Sequence, residues 1–105
     1  MSRFFYTVEK GPSANEAFFT AYKNALAEHK DELGFSGTIA EKDGYIIIEG
    51  PSDYDYEYSL RKAQEIMQYG RKTEIHDPLG PAGCIHIGNN DFLFFGNAYS
   101  KDEDE

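Results

Sequence analysis

The residues of this chain best suited to chemistry fall between His76 and His86. His76-Asp77 and Cys84-Ile85-His86 put two imidazoles, a carboxylate and a thiol within eleven positions. On a strand, alternate side chains point the same way, so Cys84 and His86 share a side. With His76 or Asp77 brought near, such a set could ligate zinc, or pair a thiol with an imidazole that draws off its proton. The spacing matches no strong metal or nucleophile template, and a lone cysteine is ordinarily a small buried hydrophobe. The expectation is no cofactor and no catalytic residue, with His76, Cys84 and His86 kept as weak metal candidates. His29 falls at the apolar edge of a helical pattern, where it could line a pocket between helix and sheet, although a core-boundary role is the plainer reading.

Charge suggests a different kind of chemistry. The 105 residues carry a formal net charge of −9. Glu41, Asp43, Glu49, Asp53, Asp55 and Glu57 stand against Lys42 alone within residues 41–57, and Tyr54, Tyr56 and Tyr58 are interleaved with them. Asp53 and Glu57 are one helical turn apart, about 5–6 Å between β-carbons. Glu41, Asp43, Glu49, Asp53, Tyr54, Asp55 and Glu57 are therefore the candidate partner-binding face, complementary to a basic surface. Arg61 follows Glu57 by one turn and can pair with it, and the helical stripe assigns Tyr56 to the core. The same acidity disfavours phosphate backbones and anionic lipid, so neither nucleic acid nor membrane is expected as a direct partner.

These residues need elements to hold them. Gly11-Pro12-Ser13-Ala14-Asn15-Glu16 and Gly50-Pro51-Ser52-Asp53-Tyr54-Asp55 are one device used twice. In each, a strand-like run ends at a proline, and a serine with an acid three positions on forms a capping box that opens a helix. The first corner, with Lys10, is also a weak anion site.

The pattern predicts strands at Arg3–Glu9 (Phe4, Tyr6 and Val8 on one face), 35–42, Tyr45–Ile48 and 72–76. It predicts helices from Ser13 to a stop at Gly34 and from Asp53 to about Tyr69, the latter with Tyr56, Leu60, Ala63 and Met67 as its core stripe. Asp43-Gly44 reads as a hairpin turn, and the unbroken apolar run Tyr45–Ile48 as a central strand.

After the connector 77–83, Cys84–Ile87 and Phe92–Phe95 flank the turn Gly88-Asn89-Asn90-Asp91 and read as an added hairpin. Phe92, Phe94 and Phe95 must be covered, either by the chain's own sheet or by a second copy, which makes them the candidate oligomer interface of a homodimer.

The order β-α-β-β-α-β over residues 3–76 is similar to that of small ferredoxin-like proteins, among them dimeric α+β barrel enzymes in which two open sheets meet. The resemblance rests on element order and transfers no catalytic residue. The reading is one α+β domain over residues 1–100, a ferredoxin-like sandwich with an added C-terminal β-hairpin, and a disordered acidic tail at 101–105.

No apolar run approaches the roughly 18 residues of a membrane span, and Met1-Ser2-Arg3-Phe4 lacks the layout of a signal peptide, so a cytoplasmic location is expected. The favoured function is a small acidic, non-catalytic inhibitor or adaptor that engages a protein partner, with a basic one expected. The alternatives are a metal or small-ligand binder or enzyme with His29, His76, Cys84 and His86 in its pocket, and a self-associating structural subunit.

Overall fold

A computed structural model describes residues 2–32, 36–49, 56–69, 73–88 and 90–100. Four strands, β1 (Ser2–Lys10), β2 (Tyr45–Glu49), β3 (Ala82–Gly88) and β4 (Asp91–Tyr99), form one sheet in the order β1-β4-β3-β2. β4 is antiparallel to both of its neighbours, and β2 runs parallel to β3. Helix α1 (Ala14–Glu28) links β1 to β2, while α2 (Tyr56–Tyr69) and the single turn α3 (Thr73–His76) lie between β2 and β3.

The α+β class holds, with one four-stranded mixed sheet and two long helices. The described residues do not take the ferredoxin-like β-α-β-β-α-β order, for identifiable local reasons. In place of the expected strand at 35–42, Thr38 caps a 3-10 turn at Ile39–Glu41 by accepting from Ala40 N at 3.2 Å. Ser36 meanwhile donates through its amide (3.1 Å) and hydroxyl (2.7 Å) to the Glu41 carboxylate. Side chains that bond nearby backbone compete with a sheet ladder, and here they win. No hairpin forms at Asp43-Gly44 because the described residues just before it, 36–42, form no strand.

The expected strand at 72–76 is the α3 turn, which drives Ile75 into the core at 0% exposure. β2 is an edge strand, not a central one, with Ile47 55% exposed. The hairpin read as an addition is instead the middle of the sheet.

Residue parity on β4 divides the core in two. Phe92, Phe94 and Ala98 pack with Phe5, Cys84 and the Ala17 and Ala21 stripe of α1. Leu93 and Phe95 pack with Ile85, with Ala63 of α2 and with Ile75. The helices therefore lie on opposite faces of the sheet, not together on one. On β1 the same parity separates Phe5, buried under α1, from Phe4, Tyr6 and Val8, of which Tyr6 and Val8 are exposed.

The first Gly-Pro-Ser corner forms as expected. Ser13 Oγ accepts from Glu16 N at 3.3 Å, and a Cβ on Gly11 would stand 2.9 Å from Ala17 N, so glycine lets the corner press against the helix. α1 ends at Glu28, with His29 as its cap, and the predicted stop at Gly34 lies outside the described residues. The second corner, Gly50 to Asp55, and the tail at 101–105 also lie outside them.

Candidate functional site

β3 places Cys84 opposite Phe94 and His86 opposite Phe92, so thiol and imidazole do share a face. Their surroundings disarm them. Cys84 is 1% exposed, and burial pushes its thiol up to about 12, so it carries no thiolate at neutral pH. The His86 ring stacks on Phe92 at 4.4 Å and 11°.

His76 belongs to the opposite face, where its Nε2–H donates to the Met67 carbonyl at 2.8 Å and its own carbonyl accepts from Asn97 Nδ2 at 3.0 Å. The sheet thus stands between His76 and the Cys84-His86 pair. Among the described residues no group of three His, Cys, Asp or Glu side chains gathers as metal ligands would. The four-residue pocket expected from His29, His76, Cys84 and His86 does not assemble. Of these, only His29 borders the cleft between α1 and β1, which holds about 210 Å³, and its Nε2 lies 3.7 Å from Glu28 Oε1.

The acidic residues of the expected partner-binding face lie only partly within the described residues. Glu41 is committed to Ser36, and Asp43 is exposed just before β2. Glu57 is exposed at the start of α2, next to Tyr56, which hydrogen-bonds to Tyr6 of β1. Asp53, Tyr54 and Asp55 lie outside the described residues, and Glu49 is placed only as the last residue of β2.

Tyr56 corrects the helical-stripe expectation. It is 42% exposed, beside Tyr58 at 38%, while Ser59 and Ala63 take the buried positions. The Tyr56 hydroxyl is held above its usual range, first by desolvation and then by its proximity and hydrogen bond to Tyr6 on β1. Lys10, the proposed anion ligand at the first corner, pairs with Asp91 at 2.9 Å.

Phe92, Phe94 and Phe95 are 6%, 0% and 0% exposed, so the chain covers them itself and they present no surface to a second copy. Among the described residues the sheet's edges lie elsewhere, at β1 and β2.

One functional-looking group was missed in the sequence. Lys42, counted there as a lone counter-charge, is 1% exposed. Its Nζ donates to the carbonyls of Asp77 (3.3 Å), Pro78 (3.2 Å) and Gly80 (2.9 Å) and sits 5.9 Å from the Phe5 ring centroid. Burial pulls its pKa from 10.5 to about 8, partly opposed by the Asp77 charge. An amine with three carbonyl acceptors around it acts as a clamp on the 77–80 turn rather than as a nucleophile. Nothing within a few positions of Lys42 signals this, because the acceptors lie 35 to 38 residues away.

No helix of the described residues is long and apolar enough to cross a membrane. Compared with known proteins, the chain matches no family model, no curated protein and no solved structure.

Proposed function

We propose that this chain is a non-catalytic binding protein that engages a protein partner of positive charge, in the manner of an inhibitor or adaptor. The observation that carries the reading is the start of α2, where Tyr56, Glu57 and Tyr58 all stand at the surface. Tyrosine supplies contact area at little entropic cost, and an adjacent carboxylate selects for a basic partner and speeds encounter. The net charge of −9 acts in the same direction at longer range.

The groups that would serve catalysis are spent on structure: a thiol held protonated under α1, a lysine clamped by carbonyls, and histidines placed on opposite faces.

The test is affinity capture from host lysate at low and at raised salt, with recovered proteins identified by mass spectrometry. One basic protein should be retained at low salt and released at high salt, and Tyr58→Ala and Glu57→Lys should each lose it while the fold is kept. A partner that binds the double variant as well as the parent would overturn the reading.

A further inference from the structure

β1 is nine residues long and lies at the sheet margin, and among the described residues no strand pairs with its outer side. Two bonds set which residues face outward. Gly11 N donates to Asn90 O at 2.9 Å, so β1 residues of odd number turn their amides toward β4. Gly37 N donates to Tyr99 O at 2.8 Å, and the register puts Tyr99 opposite Ser2, so that carbonyl points away from β1. By the alternation of an antiparallel ladder, both assign the outward N–H and C=O groups to Ser2, Phe4, Tyr6, Val8 and Lys10.

We infer that two copies of this chain pair through this edge as antiparallel strands about a two-fold axis at Tyr6, joining their sheets into one of eight strands. The phase is the required one, since the axis falls on a residue whose backbone groups point out, and Tyr6 exchanges both hydrogen bonds with Tyr6 of the second copy. Phe4 then lies opposite Val8 of the second copy, and Val8 opposite its Phe4. This covers a strip in which Tyr6 is 46% and Val8 37% exposed in the single chain.

On the α1 side, Arg3 lies opposite Glu9 of the second copy. Arg3 is exposed and Glu9 half-buried, and among the described residues neither has an ion-pair partner. The cleft beside this edge is lined by Glu9, Asn24 and Glu28, and the guanidinium of the second copy's Arg3 enters it. The two-fold makes this pair twice, so the charges on one strand are complementary to themselves reversed. An edge strand exposing a long ladder needs such a partner or a covering, and Lys10, the charge that could blunt it, is drawn to Asp91.

The experiment is light scattering and sedimentation across micromolar to millimolar protein at physiological ionic strength, where the repulsion between two acidic bodies is screened. The expected result is a dimer that dissociates on dilution. Arg3→Glu and Glu9→Arg should each weaken it roughly tenfold or more, and the two together should restore it, because the swap rebuilds the pair. Val8→Pro deletes one outward donor, spares the β1–β4 ladder and should abolish the dimer. A wild-type chain monomeric throughout overturns the inference, as does a dimer indifferent to Arg3→Glu and Val8→Pro. Should the variants fail to fold, amide exchange in the wild type decides: protection at Phe4, Tyr6 and Val8 must rise with concentration, and protection that does not rise refutes the pairing.

Discussion

Phe94 and Phe95 are neighbours on one strand, both wholly buried, and they are packed by different means. Phe94 meets other rings, with Phe18 of α1 at 5.5 Å and 71° and Tyr45 of β2 at 5.7 Å and 74°. Phe18 and Tyr45 also contact each other at 5.2 Å, which closes a triangle of edges and faces. Phe95, on the α2 side, lies over a glycine, and a Cβ at Gly83 would stand 2.5 Å from its Cζ. One face of the sheet is anchored by mutual accommodation of several rings, the other by a ring seated over a glycine among mainly aliphatic side chains. In the first arrangement each ring is braced by the other two. The second depends on one small residue staying small.

The widest gap between the two faces is expected from truncation. Phe94→Ala should cost about 3–5 kcal/mol, since the rigid ring triangle cannot collapse into the space, and chemical denaturation reads this directly. A cost near that of an ordinary surface change would mean that the triangle is not the anchor described.

Next in size, Gly83→Ala should destabilise by about 1–3 kcal/mol through overpacking of Phe95. Adding Phe95→Leu should recover part of that loss, and a strictly additive double variant would break the account of this face.

Titration distinguishes two buried groups of the α1 side. Lys42 loses its proton more easily folded than unfolded, so its contribution to stability grows as pH rises from about 8 toward 10.5. Cys84 holds its proton more tightly folded, so its contribution is lost from 9.0 up to about 12. Thermal unfolding against pH should show a gain of about 1 kcal/mol between roughly pH 8 and 9, a plateau to about 10.5 where the two trends offset, and a decline above that. Lys42→Met should remove the rise and Cys84→Ala should flatten the fall. A profile unchanged in both variants would refute the assignment.

The smallest effect belongs to the corner that feeds α1. Ser13→Ala should cost about 0.5–1 kcal/mol, at the low end for a cap because the bond is exposed and 3.3 Å long.

β1, α1 with its Ser13 cap, β2, α2 and the two strands of the C-terminal hairpin were legible from periodicity and turn residues. What misled was rank within the sheet. A continuous apolar run signals a strand buried on both faces; Tyr45–Ile48 has such a run and is an edge, while Phe92–Phe95 satisfies the rule better. Residues 36–41 concealed a turn because β-branched content outweighed the capping spacing from Thr38 to Glu41, which was present to be read. Residues 73–76 took a helical turn because tertiary packing of Ile75 overrode strand propensity. Of the candidate site, the strand geometry that puts Cys84 and His86 on one side was legible, but their burial was not. The Lys42 clamp spans two segments far apart in the chain, and no local pattern encodes it.

The place of β4 governs how this molecule can be assembled. Its nine residues pair with β1 from Ser2↔Tyr99 to Lys10↔Asp91, so the sheet's longest ladder joins the two most distant strands of the described chain. β1 must wait, without its backbone partner, until residues 91–99 exist. Such closure over almost the full length slows folding and leaves aromatic strands transiently bare. A growing chain of this sequence therefore calls for shelter up to the moment its middle arrives.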